Sequence, residues 1–347
     1  MNKRPIEAYN QGADAALNWL LGQQQQDGSY GPDIDDLASY YKSPYLFFIS
    51  GHSDAAMRLL AYVKRAFMQA NGDFTTSPDQ KSANGAFVEY WAYTNAWIAM
   101  AAQKMGCFDI AYPAYRYLQS FYNERNGGFT TRRPCEEAGN IVDVLTTAHL
   151  GLTALYFGEI DRATQAGKLL QRFIAIQPDL RSGFYLRMND GGELLTDFAQ
   201  EAALFHRVSA VEPQQAYFMI GYPIAFLGKL HMATGVSGFL EAATRYLAFA
   251  MGCHESIRTF HFSHKVAWGA AVVAGLTGEA TFSEFSRSIA DYLLSIQDAS
   301  GAWLKDEPAH TAYDQTAEIA IWLRELGSLI AGQDGGIGVA HQGGRPA

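Results

Sequence analysis

Cysteine is scarce in this sequence. Its three thiols, Cys107, Cys135 and Cys253, are an odd number without CxxC spacing, so neither a disulfide framework nor a zinc knuckle is indicated, and all three are expected to be reduced and structural. Positive charge is also short, with 26 Lys and Arg against 35 Asp and Glu and a formal net charge of -9. The clustered cations that displace counterions from a polyanion are missing, which sets nucleic acid aside as a partner. No run of about 18 apolar residues occurs, so no membrane span is expected. Met1 to Tyr9 lack the apolar core of a signal peptide. These absences point to a cytoplasmic protein, and nothing in the sequence signals an oligomeric state.

What is present is material for a large core: 48% of residues are hydrophobic, 13% are aromatic and 33 are glycine. The glycines are regularly placed. Six stretches read as helices of about 16 residues that stop at a glycine: Asp36 to Gly51, Trp91 to Gly106, Asp143 to Gly158, Ile220 to Gly235, Ser263 to Gly278 and Ala312 to Gly327. Each of the first five is followed by an amphipathic stretch, starting near Asp54, Asp109, Asp161, Gly238 and Phe282. A sixth, Ala13 to Gln25, precedes the first. Twelve alternating helices over residues 1–330 predict an all-α fold, a single (α/α)6 toroid with six inner and six outer helices around a central apolar cavity. An open solenoid is the alternative, but the strongly apolar inner helices favour closure. Residues 331–347 are Gly-rich without apolar period and are expected to be a disordered tail.

The connections repeat too, as QQQQDGSYGP, MQANGDFTT, YNERNGGFTT, QPDLRSGFYL and IQDASGAWL, each with a glycine and then an aromatic just past a helix. The punctuation in WLLGQQQQDGSYGP and YLLSIQDASGAWL resembles the QW motif of the terpenoid cyclase and protein prenyltransferase α/α-toroid superfamily, over roughly residues 10 to 330. Asp33-Ile34-Asp35-Asp36 resembles the DxDD motif of class II terpene cyclases. That resemblance implies that Asp35, crowded by Asp33 and Asp36, stays protonated and delivers a proton to an alkene or epoxide. The same residues read equally as a helix cap, as Asp143 does at the corresponding place in its own helix. Leu37-Ala38 also replaces the family's Thr-Ala, and the usual second helical domain has no counterpart. The zinc site of the prenyltransferases needs a DxC pair, which is absent, so no metal is expected. No phosphate-binding Gly-rich loop and no DDxxD occur, and no cofactor is expected.

Aligning the inner helices on their closing glycines suggests the cavity lining. Nine residues earlier stand Lys42, Trp97, His149, Phe226, Gly269 and Glu318, and one turn before those stand Ala38, Tyr93, Leu145, Tyr222, Lys265 and Asp314. Seven before the glycine the residues are Pro44, Ala99, Gly151, Gly228, Ala271 and Ala320, small enough for close packing. Lys42, Tyr93, Trp97, Tyr222, Phe226, Lys265, Trp268 and Asp314 are therefore candidate substrate-binding residues. The charged members can equally satisfy one another. His264 starts the fifth inner helix beside Lys265 and joins His149 as a candidate base, with Asp35 or Glu318 as the acid.

The longest gap between inner helices leaves an insertion near Gly183 to Glu212, whose Arg187, Asp190, Asp197, Glu201 and His206 can cover the cavity mouth. The expected function is a metal-independent cyclase, isomerase or lyase acting by acid-base chemistry on a small, largely hydrophobic terpenoid or polyene-like substrate. The alternatives are a carbohydrate-active toroid, either an epimerase or an unsaturated-sugar hydrolase, and a non-catalytic toroid that binds a lipid or a protein.

Overall fold

A computed structural model describes residues 5–133 and 140–334. Cys135 and residues 335–347 of the expected tail lie outside the described residues. In chain order the first elements are α1 (Pro5–Gln23), α2 (Ser43–Ile49), α3 (Ser53–Phe67), α4 (Ala86–Glu89), α5 (Ala92–Lys104) and α6 (Phe108–Gln119). The strand β1 (Val142–Asp143) leads into α7 (Val144–Tyr156) and α8 (Ile160–Ala175). The insertion then contributes β2 (Gly183–Tyr185), β3 (Arg187–Met188), α9 (Ala203–His206) and β4 (Arg207–Ser209). The chain ends in α10 (Phe218–Thr234), α11 (Ser237–Met251), α12 (His264–Thr277), α13 (Ala280–Ser295) and α14 (Ala309–Asp334).

The inner helices are α2, α5, α7, α10, α12 and α14, and the outer ones are α1, α3, α6, α8, α11 and α13. Helix α14 packs on α1, α2 and α12, so the last inner helix meets the first and the ring is closed. The fold is an (α/α)6 toroid. Outer helices α3, α6 and α8 are strongly amphipathic, whereas α7, α10 and α12 are buried around most of their circumference, as expected for a ring sandwiched between neighbours.

The repeated turns explain why the ring is regular. Gly72 has φ +89 and an added Cβ would sit 2.3 Å from the Pro113 carbonyl oxygen of α6; Gly301 has φ +96 and would sit 2.4 Å from that of Ala15 in α1. Each turn thus lies directly on the backbone of an outer helix, an approach open only to glycine. The aromatic that follows, Phe74 or Trp303, is fully buried and wedges the helix ends together.

Three expectations need correction. The first inner helix does not run from Asp36 to Gly51: Leu37–Ser39 form a single 3-10 turn and α2 starts at Ser43. Pro44 sits in the first turn of α2 and has no N–H to donate to a preceding turn, which fits a helix that begins there. Helix α14 runs to Asp334, past Gly327 and past the expected start of the tail at Ala331. Among the described residues, aromatic rings fill the middle of the ring where an open apolar cavity was expected. Trp97, His149, Tyr222, Trp268 and Trp322 meet there, with the Trp268 and Trp322 rings stacked at 4.0 Å and His149 4.7 Å from both Tyr93 and Tyr222.

Candidate active site

The inner helices all direct their N-termini to one mouth of the ring. A pocket of about 330 Å³ opens there above the aromatic plug. Helix N-termini carry partial positive charge, so this mouth favours negative charge on a bound group.

Its floor is a buried ionic cluster. Lys42, at the N-cap of α2, places Nζ 2.5 Å from Glu318 Oε2 and 2.6 Å from Asp314 Oδ1. Lys265 donates to Glu318 Oε1 at 2.8 Å, and Tyr93 OH donates to the same oxygen at 2.9 Å. Lys42, Lys265, Glu318 and His264 are each no more than 3% exposed. Two ammonium groups and two carboxylates balance, so the floor accepts a neutral molecule without leaving a buried charge unpaired.

The Lys42–Asp314 contact is electrostatic. Asp314 Oδ1 is buried 2.6 Å from Lys42 Nζ, and no aligned hydrogen bond to it is formed among the described residues.

His264 has a defined tautomer. Its Nδ1–H donates to the His261 carbonyl oxygen at 2.6 Å, which leaves Nε2 as a lone pair, 3.1 Å from Lys265 Nζ and 3.2 Å from Glu318 Oε2. Burial and then the Lys265 charge lower the His264 pKa from its ordinary value, keeping the ring neutral and basic. Burial, against the pull of Glu318 and with the help of the Lys42 charge, lowers Lys265 to about 8. Burial alone would raise Glu318, but the charges of Lys265 and then Lys42 hold it well below the usual carboxylate range. The result is a neutral imidazole, a cation able to give up its proton and a locked carboxylate within one cluster.

Of the residues expected from the sequence, Lys42, Tyr93, His264, Lys265, Asp314 and Glu318 line this pocket. The others do not. Asp33 and Asp35 are exposed and outside the lining. Asp36 caps the 3-10 turn by accepting from the Ala38 N–H at 2.8 Å, and it also accepts from Ser82 Oγ at 2.8 Å and the Ala83 N–H at 2.6 Å. With its oxygens engaged in holding the 82–83 loop, it has the structural role of a cap.

Trp97, Tyr222 and Trp268 belong to the plug, and Trp268 Nε1 donates to Glu325 at 2.8 Å on the far side. Phe226 fills the space over Gly151, where a Cβ would meet its ring at 2.5 Å. His149 lies beneath the floor, fully buried, and burial holds it well below its ordinary pKa; neither ring nitrogen has a hydrogen-bond partner among the described residues. Asp197 and Glu201 of the insertion are exposed, while Asp190 bonds Asn123 at 2.8 Å and pairs with Arg125. Arg187 and His206 are buried behind the pocket wall.

The structure adds pocket residues that the sequence reasoning missed. Tyr41, Phe87, Leu204, Phe205, Phe218, His261 and Phe262 line the pocket. His261 carried a usable signal, since it stands three residues before His264 at helical spacing; burial and then His264 lower it to about 4. The Tyr41 hydroxyl is buried without a hydrogen-bond partner among the described residues. Among the described residues no group of three or more His, Cys, Asp and Glu side chains could hold a metal ion. No helix among them is long and apolar enough to cross a membrane.

No protein-family model matches the sequence, and a search of curated proteins gives no match. Solved structures do match. A D-mannose isomerase aligns with a TM-score of 0.67 at 13% identity, covering 91% of this chain and 96% of the other. A GH76 α-mannanase from Bacteroides thetaiotaomicron aligns at 0.61 and 14% identity, covering 94% and 98%. A type II terpene cyclase from Scytonema, in complex with merosterolic acid A, aligns at 0.58 and 12% identity, covering 94% and 99%. These similarities establish the α/α-toroid architecture, which is common to enzymes that differ in chemistry.

Proposed function

We propose that this protein is an enzyme that isomerises or epimerises a small carbonyl-bearing sugar by acid-base chemistry in the N-terminal mouth of the toroid. The observation that carries the reading is the contact between the lone pair of His264 Nε2 and Lys265 Nζ at 3.1 Å, at a mouth already biased toward negative charge by the inner-helix dipoles. Shifting a proton next to a carbonyl needs a base for the carbon-bound proton and a cation for the enediolate oxygen. His264 supplies the base. Lys265 supplies the cation, and with a pKa of about 8 it can also return a proton to that oxygen.

In this mechanism the substrate carbonyl enters between Lys265 and Lys42. The Lys265 ammonium turns from His264 to the carbonyl oxygen, freeing Nε2 to take the neighbouring proton. Glu318, held ionised, stays paired with both lysines. His261 offers a second, weaker base beside the first. Two of the three structural neighbours described above act on sugars by name, which agrees with this reading.

Cyclisation of a polyene is less well supported. It needs a carboxylic acid strong enough to protonate an alkene and facing the substrate. Asp33 and Asp35 are exposed outside the pocket, Asp36 is engaged as a cap and Glu318 is ionised. Incubation of wild type and His264→Asn with a panel of aldoses and ketoses, with products read by NMR, tests the proposal. Conversion by wild type and at least a hundredfold loss in the variant are expected. Conversion of a polyene instead, or saturable sugar binding without turnover, would overturn it.

A further inference from the structure

The insertion reaches the pocket through α9, which places Leu204 on the rim and Phe205 in the wall, with the Phe205 ring 5.8 Å from that of Tyr90. Its base is anchored at two points. Strand β2 pairs with β4, and β3 pairs with β1, putting Arg187 in register with Asp143, the N-cap of α7. The segment between, residues 196–201, is mostly exposed, and its Phe198 stacks on the His206 ring of α9 at 4.8 Å.

Arg187 adds a buried polar tie to the same helix end. It is 4% exposed and donates from Nη2 to Glu89 Oε2 at 2.6 Å, while Nη1 lies 3.3 Å from His206 Nε2 and the guanidinium lies 5.5 Å from the Phe205 ring. Glu89 closes α4, the turn that carries Phe87 on another part of the same wall. One buried guanidinium therefore ties α4 to α9 and sets the position of Phe205. The pocket's volume of about 330 Å³ lies at the low end of the roughly 300–1,000 Å³ usual for ligand sites.

We propose that Phe205 is the specificity-determining end wall of the pocket and that Arg187 is its positioning residue, limiting the substrate to a single ring. The inference rests on the sugar-isomerising reading for the identity of that ring. The geometry of the wall applies to any ligand.

The test is titration calorimetry on wild type, Phe205→Ala, Arg187→Met and Arg187→Lys with two pairs of probes, D-mannose against mannobiose and benzyl alcohol against 4-biphenylmethanol. In wild type the shorter member of each pair binds better. Phe205→Ala and Arg187→Met should each move the long-to-short affinity ratio by about tenfold toward the longer probe, and Arg187→Lys should restore part of the wild-type ratio by retaining the charge. An unmoved ratio in folded Phe205→Ala protein overturns the inference. If Arg187→Met fails to fold, Phe205→Ala and Arg187→Lys still decide. If no sugar binds any of the four proteins, the sugar reading fails by itself and the alcohol pair judges the wall.

Discussion

The toroid has two mouths, and the larger is the less suited to the chemistry. At the C-terminal ends of the inner helices lies a basin of about 1490 Å³, lined by Tyr45, Tyr156, Lys104, Lys229 and Glu325 among others. At the N-terminal ends lies the pocket of about 330 Å³. Helix direction separates them. The basin faces exposed carbonyls and partial negative charge, so Lys104 and Lys229 offset the dipoles; Lys229 also bonds Glu325 at 3.1 Å and lies 5.1 Å over the Trp268 ring. In the pocket, Lys42 and Lys265 are balanced by Asp314 and Glu318, and the helix ends supply the positive bias. The comparison teaches that polarity and burial, more than volume, mark the mouth where an anionic intermediate can form.

Substitutions on the two sides should differ in kind. The largest effect is expected for Glu318→Gln, which leaves two buried lysines with only Asp314 to pair them. A loss of about 3–5 kcal/mol in stability should be visible in urea unfolding, together with loss of turnover. Retention of wild-type stability would show that the cluster is hydrated and its charges are not coupled as described.

The next effect concerns pH. Lys265 must be protonated to hold the enediolate oxygen, and its pKa is lowered to about 8, so kcat/KM should fall as pH rises through about 8. Lys265→Arg, whose charge persists far above that range, should remove the alkaline limb even if the overall rate drops. An unchanged limb in that variant would assign it to another group.

Across the ring, Glu325→Gln breaks a partly exposed ion pair while preserving an oxygen for Trp268. A stability change of about 1 kcal/mol or less and unaltered turnover are expected, measured by thermal unfolding and steady-state rates. A turnover defect would couple the two mouths through the aromatic plug. The smallest effect is expected for Asp35→Asn, an exposed side chain, with stability within about 0.5 kcal/mol and full activity. Loss of activity there would return the proton-donor role to the aspartate cluster.

Most of the fold was legible in the sequence. Glycine stops and amphipathic periods located the helices, because the inner helices end at glycines with left-handed φ such as Gly235 and Gly278, and turns such as those of Gly72 and Gly301 lie on an outer helix. The same alignment brought Lys42, Tyr93, Lys265, Asp314 and Glu318 together, since helical spacing defines a face. It could not supply depth along the axis. Trp97, His149 and Tyr222 share that face but converge with Trp268 and Trp322 to fill the centre, and how far large rings reach inward depends on the neighbouring helices. The aspartate cluster was ambiguous for a different reason. A cap and a proton donor require the same residue type at the same helix start, and only the bonds of Asp36 to Ser82 and Ala83 distinguish them. Phe205 and Leu204 were out of reach because they arrive from the insertion, which breaks the repeat.

The most direct test of the account is solvent exchange at the substrate. Wild type, His264→Asn and Glu325→Gln would be incubated with D-mannose and D-fructose in deuterated buffer, and deuterium at the carbon next to the carbonyl followed by NMR. The account predicts incorporation by wild type and Glu325→Gln and its loss in His264→Asn. Incorporation that survives in His264→Asn and disappears in Glu325→Gln would place the chemistry at the opposite mouth and contradict it.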